Sequence, residues 1–519
     1  MAELRIRVVA GVLAAALALG IAELVAAFTG AGTAPIIALG STVIDHTPDG
    51  LREWAIQTFG TNDKAVLYLC MAVVAVVVAG LAGAVERTER AAGSALLAAF
   101  GVLAVIVAVG RQGLPGLWPT VIGVGAGIYA LRVLTRRIDA AFDFAPEKPL
   151  GTTESVESAD PVAAPERRQV LRGILVTGGL AIASGVGGKL LGSQRTDVSE
   201  ERAAVQLPQP SGPPISLAPE ADLRIPGLTP YLTPNSSFYR IDTALIVPQV
   251  SIEDWSLRIH GMVDREIRLS WADLAGRTAV ERLITLACVS NPIGGDLIGN
   301  ALWRGYRLDE LLAEAGPHPD ADMALSTSKD GWNCGAPLAA LTDGRDALLA
   351  VGMNGEPLPV AHGYPARLVV PGLYGYVSAT KWVTDIEITR FDRVTAYWTR
   401  RGWSAEGPIK TASRIDTPRA RARLSAGRIP IAGVAWAQHL GITAVEVQID
   451  NGPWQPARLS ADQSIDTWRQ WVYDWDATPG THTLRARAID ATGRPQIAAF
   501  QDVIPDGATG YPAVTVQVS

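Results

Sequence analysis

Five stretches, residues 8–29, 66–84, 91–110, 116–134 and 173–191, are almost unbroken runs of Ala, Val, Leu, Ile and Gly. Each approaches the roughly 20 residues that an α-helix needs to cross a hydrocarbon layer of about 30 Å, so five spanning helices are predicted. Lys and Arg near helix ends stay on the cytoplasmic side. With the N-terminus inside, Arg5, Arg7, Arg87, Arg90, Arg132, Arg136, Arg137, Lys148, Arg167, Arg168 and Arg172 all fall inside, against Arg52, Lys64 and Arg111 outside. Five crossings then carry everything past about residue 195 out of the cytoplasm. The expected organisation is four spanning helices within 1–137, a cytoplasmic linker 138–168, a fifth spanning helix 169–192, a Pro-rich extracytoplasmic linker 193–235, a mixed domain 236–410 and an all-β domain 411–519.

In the mixed domain, WSLRIHG and LITLACV read as β-prone runs, LDELLAEAG and DALLAVG as helical ones, with Gly and Pro turns between them. That pattern predicts an α+β fold. From about residue 420 apolar positions alternate, as in Val445, Val447 and Ile449, then Leu484, Ala486 and Ala488. Short alternating strands separated by turn signals predict an immunoglobulin-like sandwich of about 100 residues. Its Trp454, Trp468, Trp471 and Trp475 are expected in core and interface positions. Acidic, Pro- and Ser-bearing residues 138–166 have too little apolar content to fold, and the prolines of 192–235 favour extended chain that orders on the domain it leads into. The stretch 30–64 is long enough to fold but carries no readable chemistry.

Composition sharpens this picture. Hydrophobic residues make up 48%, charged ones 18% and mean hydropathy is +0.19, which excludes a wholly soluble chain. A net charge of -6, from 45 Lys and Arg against 51 Asp and Glu, offers no basic face for nucleic acid. Three cysteines exclude a disulfide scaffold and multi-cysteine zinc or iron–sulfur sites. The histidines, His46, His260, His318, His362, His439 and His482, all lie outside the apolar runs, and no C-x-x-C-H occurs, so a haem is not expected. Arg167 and Arg168 before an apolar Gly- and Ala-rich run resemble a twin-arginine export signal, and equally serve as a positive helix flank.

Cys288 closes the β-prone run RLITLA and enters the irregular loop VSNPIGGD. No histidine or second cysteine lies at zinc spacing, yet a lone soft ligand suits a metal whose other positions come from a cofactor. A buried structural thiol and a disulfide to Cys334 remain open beside that reading. Cys334 itself reads as a small buried hydrophobe.

The segments LACVSNPIGGDLIGNALWRG and MNGEPLPVAHGYPARLVVPGLYGYVSATKW, followed by the tryptophan-bearing sandwich, resemble the sulfite oxidase family of molybdenum-cofactor enzymes over roughly residues 225–519. The resemblance implies that Cys288 binds molybdenum through sulfur, that molybdopterin completes the site, and that the sandwich supports a homodimer. It makes 236–410 the molybdopterin-binding oxidoreductase domain. Cofactor contacts are then expected from Phe238, Arg240 and Asp242 in FYRID, from Asn291, from Asp330, from His362 and Arg367 in HGYPAR, and from Thr380 and Lys381 in ATKW. Cationic members of this set suit a pterin phosphate. Arg240 and Trp403 are the residues expected at the reacting centre.

Two positions depart from the sulfite-oxidising pattern. Trp403 in TRRGW stands where that pattern has a tyrosine, and Ile293 where its cysteine loop has an arginine. Losing the guanidinium should cost a doubly charged oxyanion several kcal/mol, on the order of 2–5. The expected function is therefore oxygen-atom transfer at a Cys-ligated molybdenum outside the cytoplasm, either oxidation of sulfite or reduction of an organic S-oxide or N-oxide. Electrons would pass to or from an external carrier or a quinone-linked chain. The alternative from another class is a cofactor-free, membrane-anchored binding or assembly protein.

Overall fold

The computed structural model describes residues 2–59, 62–143 and 163–519. The chain forms two compact units, Met1–Asp197 with Thr243–Ile246, and Val198–Asp242 with Val247–Ser519.

Among the described residues the first unit is built of helices: α1 Ala2–Thr29, α2 Pro35–His46, α3 Asp49–Phe59, α4 Asp63–Val85, α5 Ala92–Gln112, α6 Leu117–Asp143 and α7 Ala163–Thr196. Among the described residues, five helices are long and apolar enough to cross a membrane. Helix α1 packs on α4, α6 and α7 through small residues. A Cβ on Gly11 would stand 2.1 Å from the Ala79 carbonyl oxygen of α4, and one on Gly188 of α7 would stand 2.5 Å from Leu24 N. Such stripes let helix backbones touch where lipid offers no hydrophobic drive for association. The stretch between the first two apolar runs folds into α2 and α3, which its weak periodicity did not announce. Residues 144–162 of the expected linker lie outside the described residues, and Arg167 and Arg168 fall within α7.

The second unit opens with the short helix α8, Ser199–Ala204, and an irregular strand-poor segment. Its prolines deny ladder pairing, and side chains tie it down instead. Arg202 donates to the Leu358 carbonyl at 2.7 Å, and Glu201 accepts from Ser251, the Ile252 N–H and Tyr364.

Ten strands follow, β1 Ser256–Gly261, β2 Ile267–Ser270, β3 Val280–Ala287, β4 Ile298–Arg307, β5 Met323–Ser328, β6 Asn333–Pro337, β7 Leu348–Met353, β8 Glu356–Pro357, β9 Arg367–Val369 and β10 Val383–Thr389. They make two five-stranded sheets, β2-β1-β10-β5-β6 and β3-β4-β7-β8, with β9 also pairing β7. The run DALLAVG, expected to be helical, is strand β7. It pairs with both β4 and β9, and every residue of Leu348–Met353 is buried. A continuous apolar run buried on both faces lacks the alternation that marks a half-exposed strand. LDELLAEAG does form a helix, Leu308–Ala315, stopped by Gly316 in the left-handed region at φ 69°.

The last domain is two antiparallel-dominated sheets, β11-β13-β17-β16 and β12-β19-β18-β14-β15. Here β11 is Ala412–Thr417, β12 Arg423–Leu424, β13 Gly427–Trp436, β14 Ile442–Ile449, β15 Gln455–Pro456, β16 Arg458–Leu459, β17 Arg469–Ala477, β18 Gly480–Asp490 and β19 Ala513–Val518. Val445, Val447, Leu484, Ala486 and Ala488 point into one buried core with Trp471 and Trp475, as their alternation requires. Trp468 is buried too, whereas Trp454 lies under the Arg487 guanidinium and edge-on to Tyr511.

Candidate functional site

Strand β3 ends at Ala287, and the chain turns back into β4 through residues 288–297. The Cys288 N–H donates to the Leu297 carbonyl at 2.9 Å, and Asn291 Oδ1 accepts the Leu297 N–H at 3.0 Å. Asn291 thus closes the loop from inside and holds Cys288 at the sheet's end. The thiol is unpaired, and the residue as a whole is half-buried. Burial pushes its pKa up, while hydrogen bonds from Ser290 and the charge of Lys381 pull it down. Cys334 is also free and fully buried, so the disulfide left open by the sequence does not form.

A cationic cluster adjoins this thiol. Arg367 starts β9 and is only 5% exposed, yet its guanidinium has no carboxylate partner among the described residues. It donates to the carbonyls of His362 at 3.1 Å, Leu368 at 3.4 Å and Ala379 at 3.4 Å, and lies 5.2 Å from the Trp303 ring centre. Burial lowers its pKa to about 10. His362 is held near 4 first by burial and then by the charges of Arg367, Lys381 and Arg240. Lys381 falls to about 8 because it is buried, although Asp242 opposes the shift through an ion pair at 2.6 Å. Asp242 also accepts from Arg240 at 2.7 and 3.2 Å. Phe238 packs edge-on against both Trp303 and His362, which fixes the segment bearing Arg240 and Asp242.

Phe238, Arg240, Asp242, His362, Arg367 and Lys381 therefore form one cluster, and the charge of Lys381 reaches Cys288. Others in the expected set lie apart from them. The Thr380 hydroxyl shares hydrogen bonds with Ser326 at 2.7 Å and Cys334 at 3.1 Å, so it fastens the segment beside Lys381 to β5 and β6. Asp330 caps the β5–β6 turn by accepting the Trp332 N–H at 3.2 Å. Trp403 is buried between Tyr376 and Trp398 in an aromatic cluster.

Two tyrosines went unread in the sequence. Tyr239 feels the charges of Cys288 and Arg367, and burial drives its pKa up. Tyr374 lines the same recess as Cys288, and burial, Asp506 and Cys288 push it to about 12. Both sit in aromatic pairs, FYR and YGY, that look like core positions. The recess measures about 30 Å³ and is lined by Cys288, Asn291, Ile293, Tyr374, Trp436 and Gln496, together with small residues of the loop 508–510. No charged side chain lines it.

The donor set fits an anionic pterin with a thiolate-held metal. A buried guanidinium without a carboxylate partner suits a site that an anion can reach, and Gly363, at φ 112°, packs so closely there that a Cβ on it would stand 3.1 Å from Lys381 Cα. Among the described residues no three His, Cys, Asp or Glu side chains gather as a cation site. A metal at Cys288 must then complete its coordination from a cofactor.

Fold and site together define a molybdopterin-binding oxidoreductase, and comparison with known proteins agrees. Residues 244–398 match the family of the oxidoreductase molybdopterin binding domain. The chain is 30% identical over 172 residues to the uncharacterized oxidoreductase YuiH of Bacillus subtilis, covering 33% of this chain and 83% of that one. It is 29% identical over 309 residues to mitochondrial sulfite oxidase of Homo sapiens, covering 50% of this chain. The match spans 56% of the length of that human relative. The sulfane dehydrogenase SoxCD from Paracoccus pantotrophus aligns with TM-score 0.48 at 24% identity, over 56% of this chain and 84% of that one. The chain belongs to the sulfite oxidase family of molybdopterin-dependent oxidoreductases.

Proposed function

We propose that this chain is a membrane-anchored oxidoreductase whose catalytic unit works outside the cytoplasm and reduces a small neutral S-oxide or N-oxide. The observation that carries the substrate class is the division of charge around Cys288. Arg240, Arg367 and Lys381 cluster where a pterin's anionic end would be held, and none of them lines the recess that opens on the thiol. Ile293 occupies that recess instead, half-buried against Gly510. A doubly charged oxyanion would meet no ion partner there, and leaving such a charge unpaired costs several kcal/mol, on the order of 2–5.

Bound to this chain, a molybdenum cofactor would supply a two-electron, oxygen-atom-transferring centre. Cys288 would hold its metal through sulfur, and Arg367, His362 and Lys381 would bind its anionic end. Phe238 keeps Arg240 and Asp242 in place, and Asn291 keeps the cysteine loop closed. Outer placement rests on the Lys and Arg counts at the ends of the apolar helices and on the odd number of crossings. Electrons would come from an external carrier or a quinone-linked chain.

Sulfite oxidation is the second reading, favoured by the names of the relatives. Steady-state turnover of the purified, molybdenum-loaded protein with a redox dye separates them. Reduction of dimethyl sulfoxide or trimethylamine N-oxide is expected, and turnover of sulfite alone would overturn the first reading. A protein purified from a cofactor-competent host without molybdenum would leave only a binding role.

A further inference from the structure

The recess at Cys288 contains one phenol whose proton is unspent. Buried tyrosine hydroxyls nearly always find an acceptor. Three other buried tyrosines do. Tyr376 O–H donates to the Ser404 carbonyl at 2.8 Å, Tyr364 O–H to Glu201 at 2.7 Å, and Tyr231 O–H pairs with Thr467 at 2.9 Å. Tyr374 is 6% exposed, and its oxygen only accepts, from the Lys410 N–H at a long 3.4 Å. Among the described residues its O–H donates to no group.

The site is built around that hydroxyl. Gly507, at φ 98°, has no side chain to fill the space, and a Cβ there would stand 2.7 Å from the Tyr374 oxygen. Lys410 is turned away, its ammonium bonded to Asp506 at 2.7 Å and the Gly507 carbonyl at 2.8 Å. The loop that flanks the hydroxyl continues through Ala508 and Gly510 into the recess wall. Two other polar side chains of that wall, Ser413 and Gln496, are engaged with each other and with backbone. Ser413 O–H donates to Gln496 at 2.8 Å, and Gln496 Nε2 donates to the Gly510 carbonyl at 2.7 Å. At about 30 Å³ the recess admits one or two water-sized groups, the oxygen-bearing end of a substrate.

We propose that Tyr374 donates its hydroxyl hydrogen to the oxygen of a neutral S-oxide or N-oxide held beside Cys288, and so sets the enzyme's preference for oxygen-bearing ligands over their oxygen-free counterparts. This rests on the substrate class argued above. A phenol held protonated by burial can give a hydrogen bond to a neutral acceptor without adding charge to the recess. It binds the substrate itself, unlike Trp403, which lines no part of the recess.

The test compares wild type, Tyr374→Phe and Tyr376→Phe as molybdenum-loaded full-length protein in detergent. Calorimetry on the oxidised form, without reductant, measures dissociation constants for dimethyl sulfoxide and dimethyl sulfide. Molybdenum and pterin content verify loading. Tyr374→Phe is expected to weaken sulfoxide binding about tenfold, the upper range of one neutral hydrogen bond, and to leave sulfide binding unchanged. Tyr376→Phe is expected to lower the melting temperature and leave the ratio of the two affinities alone. A structural role for Tyr374 would weaken both ligands alike, and that result, or no change in either, overturns the assignment while the substrate class stands. A wild type that binds sulfite but neither dimethyl sulfoxide nor trimethylamine N-oxide overturns the substrate class and this proposal with it.

Discussion

A guanidinium bonded only to carbonyl oxygens in a buried site keeps its charge at the expense of the fold. Arg367 does so at 5% exposure, which is what the proposed binding of a cofactor's anionic end requires of it. Replacing it by Met should leave the cofactor-free protein unchanged within about 1 kcal/mol in urea unfolding, while pterin content after purification falls at least about tenfold. A large loss of stability with cofactor retained would contradict this. His362 gives the pH signature. Its folded pKa of about 4 lies below the ordinary 6.5, so between those values the unfolded chain takes up a proton that the folded chain refuses. Its contribution is fully present above pH 6.5 and is lost as pH falls to 4, at most about 3 kcal/mol for the 2.5-unit gap. The difference between wild type and His362→Asn, followed by unfolding across that window, should show the loss in cofactor-free protein. It should shrink when bound anion offsets the neighbouring cations. Cys288→Ser should fold with little change in stability, retain pterin, and lose molybdenum-dependent turnover. The charged residues were readable because each stands in a long ordered motif. Tyr374 was not, because nothing in YGY tells a phenol with a spent proton from one without.

Strand β3 and its return into β4 set where those residues can act. The loop is closed by the Cys288 N–H on the Leu297 carbonyl and by Asn291 on the Leu297 N–H, and its far side is braced by Phe238 lying over Gly299. A Cβ at Gly299 would approach the Phe238 ring to 2.6 Å, and Phe238 is itself buried against Trp303. Gly299→Ala should therefore cost about 1–3 kcal/mol and displace the segment carrying Arg240 and Asp242. Chemical denaturation measures the first effect and molybdenum content the second. Normal stability with full loading would show that the ring can move aside. At this scale the sequence was uneven. Alternation located the sandwich because one face of each strand is buried and the other is not. The same logic misread DALLAVG, since β7 is buried on both faces and keeps no period. Helices α2 and α3 were missed for the opposite reason. Their stretch is broken by Gly, Pro and polar residues, and short helices of 12 and 11 residues gain little from propensity alone.

Across the whole chain, the arrangement of charge relative to apolar length makes the strongest commitment. Five apolar helices place the two ends of the chain on opposite sides of a membrane if all of them cross. Positive residues decide which end is which. They crowd the start of α1, the turn after α4 and the end of α6, as Arg5, Arg87, Arg90, Arg136 and Arg137. On that side the turn 86–91 is exposed at Arg87, Thr88, Glu89 and Arg90. In the other unit, Thr443 on β14 is exposed as well. With Cys70 replaced by Ala, single cysteines at Glu89 and Thr443 should then respond oppositely to a membrane-impermeant maleimide. In intact cells stripped of outer layers, Thr443→Cys should be labelled at once, and Glu89→Cys only after the membrane is opened by detergent. Burial protects Cys334, and cofactor binding would occupy Cys288, so background from both should be low. Labelling of Glu89→Cys first would invert the orientation and place the redox site in the cytoplasm. Equal labelling of both would mean that an even number of the three helices between them, α5, α6 and α7, cross. The site chemistry argued from Cys288, Arg367 and Lys381 would survive either outcome, because it depends on contacts within one unit. The choice of electron partner would not, because a carrier must share the compartment of the surface it reduces.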